Sequence, residues 1–171
     1  FGTYQPAIRE ALADLVPRVA REVPDAHVVL LGRGSEEAAR DIRARAGEYA
    51  SPIPAPGALD AAGVSCRLQA CDFLVQPYPD GVSTRRTTLM AALAHGVPAV
   101  TTYGRLSEGF WRDSDAIAAA PAGDLDGLTR LVIELARDPQ RRQAMAASAR
   151  AVYDARFALR HVIHALRTAE C

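Results

Sequence analysis

The chain has 171 residues, 49% of them hydrophobic, with twenty basic side chains balanced by twenty acidic ones; this suits one domain with a sizeable core over residues 1–171 and is short for two. Zero net charge leaves no global field for nucleic acid or an anionic membrane, so any anion site must be local. No apolar stretch reaches the ~18–20 residues of a membrane span and the opening FGTYQPAIRE is not a signal peptide, so the chain reads as soluble and cytoplasmic.

In chain order, residues 6–23 place Ile8, Leu12, Leu15, Val16, Val19 and Val23 at three- and four-residue spacing, an amphipathic helix that Pro17 is expected to kink or divide. HVVLLG (27–32) has the branched apolar pattern of a buried parallel strand. After Gly34, Ser35 with Glu36 and Glu37 opens a second helix, SEEAARDIRARA. The proline-rich SPIPAPGALD suits an extended segment with a short strand near residues 53–56. VSCRLQAC predicts a short helix, DFLVQP (72–77) another buried strand, PAVTT (98–102) a further one and DAIAAA an edge strand. The remainder, from DLDGLTRLVIELARD to ALRHVIHALRTA, is helical.

Alternating strands and helices specify an α/β fold, a doubly wound, Rossmann-like parallel sheet with helices on both faces and a helical C-terminal tail. Ligands of such sheets bind beyond the carboxyl ends of the strands. Cys66, Cys71 and Cys171 are odd in number and without a CxxC pair, so neither a disulfide framework nor zinc is expected. His161 and His164 share a helix face but lack a third ligand, so no metal is expected.

One stretch carries chemistry. In QPYPDGVSTRRTTLMAALAHG a strand ends, Gly81 makes a turn, and a helix is expected to start around residues 83–86, capped by Ser83 or Thr84. A helix start offers about four unpaired N–H groups and roughly half a positive charge. Gly81 would allow close backbone approach, Ser83, Thr84, Thr87 and Thr88 supply hydroxyls, and Arg85 and Arg86 supply fixed charge and forked donors. Together they suit a diphosphate. The alternative is a solvated arginine face beside capping hydroxyls, since the segment is no P-loop.

The order LLGRGS, PGALD, ACDFLVQPYPDGVS, AALAHGVPAV resembles the C-terminal, donor-binding domain of GT-B fold glycosyltransferases, in the family-4 group of retaining enzymes. The resemblance implies one half of a GT-B fold that binds a nucleoside diphosphate sugar as substrate and needs no metal or other cofactor. It implies an acceptor held by an N-terminal domain absent from this sequence, so that this chain alone would be inactive, with peripheral membrane association possible for the full-length enzyme only. It also implies nucleotide contacts at the Gly32-Arg33-Gly34 turn and at Gly57 and Asp60, although Asp60 reads first as the cap of the next helix. Two family glutamates fall here on Ser83 and Ala91, and a family Arg and Lys are missing from the region of Thr3, Tyr4 and Gln5. Those departures admit a second reading, a binding or scaffold domain that has kept the fold and lost the chemistry. No catalytic residue is assigned. Trp111 is expected to anchor its polar loop or to flank the cleft.

Overall fold

The computed structural model describes residues 2–46 and 52–168. Among the described residues, seven α-helices and three strands follow one another as α1 (Pro6–Glu22), α2 (Ser35–Ala46), α3 (Ala61–Gln69), β1 (Leu74–Gln76), α4 (Thr87–Ala94), β2 (Ala99–Tyr103), β3 (Ile117–Pro121), α5 (Leu125–Arg137), α6 (Pro139–Val152) and α7 (Leu159–Thr168). The strands form a parallel sheet in the order β1-β2-β3, with Leu74 beside Ala99 and Ala99 beside Ile117.

Strand alternation sends neighbouring side chains to opposite faces, and each face has its own core. Val100, Ala118 and Ala120 join a cluster with Leu12, Val16, Ile42, Leu128 and Val132, so α1, α2 and α5 cover that side. Leu74, Ala99 and Ile117 point the other way, into a cluster with Leu68, Leu89, Leu93 and Ala149 from α3, α4 and α6. The doubly wound expectation therefore holds. Pro17 is buried within α1 and does not divide it.

Two expected strands are absent as regular ladders. Residues 27–32 are extended, with the Gly2 N–H donating to Leu31 O at 2.9 Å, Leu30 N–H to Pro54 O at 2.9 Å and Gly32 N–H to Gly57 O at 3.0 Å. In a parallel pair, however, the Leu30 carbonyl would next accept from residue 56, and Pro52, Pro54 and Pro56 carry no N–H on that edge. The segments pair in one direction only. Leu30 and Ile53 still reach the core that contains Val100.

After α6 the chain makes a π-turn over Tyr153–Phe157 and enters α7. Leu159, Val162, Ile163 and Leu166 of α7 are all exposed, a bare apolar stripe. No described helix is long and apolar enough to cross a membrane.

Candidate functional site: the turn between β1 and α4

The segment from Pro77 to Arg86 leaves the carboxyl end of β1 and is laced to the loop that follows β2. Val82 N–H donates to Thr102 O at 2.8 Å and Leu106 N–H to Asp80 O at 2.9 Å, while the Arg105 guanidinium pairs with the Asp80 carboxylate at 2.8 Å. Gly81 sits at this seam with φ +91°, and a Cβ there would lie 2.3 Å from Gly104 N. Its missing side chain makes room for the neighbouring loop.

The helix starts later than its hydroxyls suggest. Arg86 N–H closes a turn onto Ser83 O at 3.1 Å, and Arg86 takes the N-cap position of α4 without a side-chain cap. Neither Ser83 nor Thr84 caps it. Ser83 is buried. Thr84 donates its N–H to both carboxylate oxygens of Glu108 at 3.2 Å and its hydroxyl to one of them at 2.8 Å. By contrast, Asp60, Asp124 and Asp138 cap α3, α5 and α6, each accepting a backbone N–H in the first turn. The first-turn donors of α4 are thus left without a capping side chain.

Around that helix start two exposed arginines carry uncommitted charge. Arg85 is exposed and pairs with no described group, and the same is true of Arg33 in the Gly32–Gly34 turn. Arg86 lies over the Tyr78 ring, 4.5 Å from its centroid, with a buried Nε that lacks a hydrogen-bond partner. Tyr78 is itself buried, its hydroxyl beside Thr88 and Leu89 but in hydrogen-bond geometry with neither. Burial pushes that hydroxyl's pKa up to about 12, the nearby Arg86 and α4 groups pulling more weakly downward, so it stays neutral.

Other segments converge on the same edge. Gly32 has φ +113° and would place a Cβ 2.1 Å from Gly2 O, while a Cβ on Gly2 would lie 3.3 Å from the Thr88 hydroxyl oxygen. Residue 2 therefore links the Gly32 turn to the first turn of α4. Gly34 passes beside Tyr4, whose hydroxyl donates to Leu31 O at 3.1 Å. Gly57 is held by its N–H on the buried Ser35 hydroxyl at 3.0 Å, next to Glu36. Asp60 caps α3 by accepting Gly63 N–H at 2.8 Å and lies past this junction. The structure accordingly gathers Gly32 and Thr88 around residue 2. It ties Thr84 to a different partner and gives Asp60 a local role.

Glu108 and Tyr78 are the residues of this site that the sequence pattern leaves unmarked. The available signal is Trp111, three residues beyond Glu108: its ring is 1% exposed and its indole N–H donates to Glu108 at 2.9 Å. Trp111 stacks on Phe157 at 5.8 Å and anchors the loop, as expected. His95 closes α4 through Nδ1 to Ala91 O at 2.7 Å and meets the Ser65 hydroxyl with Nε2 at 2.8 Å, tying α4 to α3. Among the described residues no three His, Cys, Asp or Glu groups come together as a metal site; Cys171 lies outside the described residues.

A family model described as glycosyl transferases group 1 matches residues 3–138. Two relatives are phosphatidyl-myo-inositol mannosyltransferases. The one from Mycobacterium leprae is 31% identical over 82% of this chain and 37% of its own length. The one from Mycolicibacterium smegmatis is 27% identical over 78% of this chain and 34% of its own length. A solved structure of S. aureus TarM, a mutant in complex with fondaparinux, alpha-GlcNAc-glycerol and UDP, superposes with a TM-score of 0.74 at 10% identity, over 91% of this chain and 31% of that one. The chain spans about a third of the length of the curated relatives it matches.

Proposed function

The chain belongs to the group 1 glycosyl transferases of the GT-B fold, and on that premise we propose that it is the donor half of such an enzyme, holding the diphosphate of a nucleoside diphosphate sugar at the start of α4. The observation that carries this reading is the uncapped first turn of α4, flanked by Arg85 and Arg86 and standing beyond the carboxyl end of a parallel strand. Unpaired N–H groups and the helix dipole favour an anion there, and two guanidinium groups add charge. The UDP named in the S. aureus TarM complex supports a nucleoside diphosphate as ligand.

In this proposal the leaving diphosphate is stabilised by donors fixed before the reaction, the electrostatic contribution that is commonly largest in transfer reactions. Helix end and arginines supply the positive charge that a metal would otherwise bring, and the sugar passes with retention to an acceptor. The acceptor lies on a part of the enzyme beyond these residues, and the exposed apolar stripe of α7 is a surface for that part to cover. The Gly32–Gly34 turn and Gly57 border the nucleotide.

A second reading, a binding domain without transfer activity, draws on Ser83 and Ala91 standing where the family's two glutamates fall. Calorimetric titration with UDP, GDP, ADP and dTDP, each against its monophosphate, decides between the two. Tighter binding of one diphosphate than its monophosphate is the expected result, and indifference to all eight ligands sinks the donor reading.

A further inference from the structure

The proposed diphosphate site makes no use of the carboxylate that lies against it. Glu108, in the loop after β2, accepts three hydrogen bonds from Thr84 and one from the indole N–H of Trp111. Trp111 is buried and stacked on Phe157, so the carboxylate is held on one side by the core. On its other side it holds the single turn that precedes α4, in which Arg86 N–H bonds Ser83 O, and that turn runs into the helix, where Met90 N–H bonds Arg86 O. Fixing Thr84 therefore fixes the backbone that carries Arg85 and Arg86.

We infer that Glu108 is a positioning residue for the diphosphate site: it clasps the 83–86 turn to Trp111 and sets the turn before ligand arrives. The inference rests on the donor-binding reading above. A loop that is ordered in advance loses less conformational freedom on binding, and the ligand binds more tightly for it. The clasp has a second consequence. Both donors of Thr84 are already engaged by an anion, so the diphosphate falls to the groups from Arg85 to Leu89.

Positioning and charge repulsion pull in opposite directions, because a carboxylate near a diphosphate also repels it. Two substitutions separate them. Glu108→Gln removes the charge and keeps an acceptor oxygen for Thr84, whereas Glu108→Ala removes both. The probe is whichever of UDP, GDP, ADP and dTDP binds the wild-type chain best, with its nucleoside as control, and Thr84 amide exchange reports the clasp without ligand.

In Glu108→Ala the diphosphate is expected to bind roughly ten-fold more weakly, the range for hydrogen bonds to charged groups, with the nucleoside unchanged. Thr84 exchange should accelerate, and Glu108→Gln should recover most of both losses. Thr84→Ala, which keeps the N–H bond, should lose less than Glu108→Ala. Equal or tighter diphosphate binding by Glu108→Ala overturns the inference, as does an equal loss for nucleoside and diphosphate. If the wild-type chain binds no nucleoside diphosphate, the donor reading fails and this inference with it, while protected Thr84 exchange still reports the clasp itself.

Discussion

The guanidinium of Arg86 lies over the ring of Tyr78, 4.5 Å from its centroid, and the same residue is the N-cap of α4. Its backbone opens the helix while its side chain rests on a buried ring at the end of β1. An arginine laid flat on an aromatic face is partly preorganised, so less freedom is lost when it meets an anion.

Arg86→Ala should weaken nucleoside diphosphate binding by about 1 to 3 kcal/mol, the range for charge-assisted hydrogen bonds. Arg86→Lys keeps the charge without the planar stack and should fall between. Calorimetry on folded mutants checks the order, and an unchanged affinity in Arg86→Ala removes Arg86 from the site.

Tyr78→Phe removes a buried hydroxyl that has no hydrogen-bond partner. Such a group bears a desolvation penalty of about 1 to 3 kcal/mol. The substitution should leave the melting temperature unchanged or raise it. A drop equivalent to more than about 1 kcal/mol would show that the hydroxyl is bonded.

Gly81→Ala meets two obstacles at once, a φ of +91° and Gly104 N at 2.3 Å from the new Cβ. Strain of this kind costs on the order of 1 to 3 kcal/mol, and the displaced loop adds to it. Gly109→Ala is the matched control, because nothing lies within 4 Å of a Cβ there. Denaturant unfolding should separate the two clearly, and equal stabilities would contradict the seam described between Gly81 and Gly104.

The Glu108 clasp carries a pH signature. Partial burial raises the carboxyl's pKa, but hydrogen bonds from Thr84, from backbone N–H groups and from Trp111 outweigh it and hold the group below the usual carboxylate value. A depressed folded-state pKa means that the stabilisation is present above the unfolded value, about 4.3, and is lost as pH falls through the folded one. The stability difference between wild type and Glu108→Gln should therefore be flat above about pH 5 and shrink below it. A difference that grows on acidification would contradict this.

Local pattern carried most of the fold. Leu74–Gln76, Ala99–Tyr103 and Ile117–Pro121 are strands where short apolar runs led to them, and α2 matches its expected span from Ser35 to Ala46. Residues 27–32 have strand composition and run extended, but a ladder needs donors from both partners and the prolines at 52, 54 and 56 remove one set. The site was legible as a turn before a helix and illegible in its tertiary detail. Thr84 has the composition of a cap, yet its donors go to Glu108, 24 residues further along the chain. No local spacing rule reaches that far. Gly81 likewise reads as a point of ligand approach, and in the fold its missing Cβ is what lets Gly104 pass.

In the donor-binding proposal, a nucleoside diphosphate sits at the first turn of α4. Backbone amide chemical shifts of the chain, followed through a titration with UDP, GDP, ADP and dTDP in turn, test it most directly. One diphosphate is expected to move the amides of residues 85–89 and 32–34 together, and its monophosphate to move the first group much less. Shifts confined to the open cleft between α1 and α2 beside Arg9 and Arg45, or no shifts with any of the four, would contradict it.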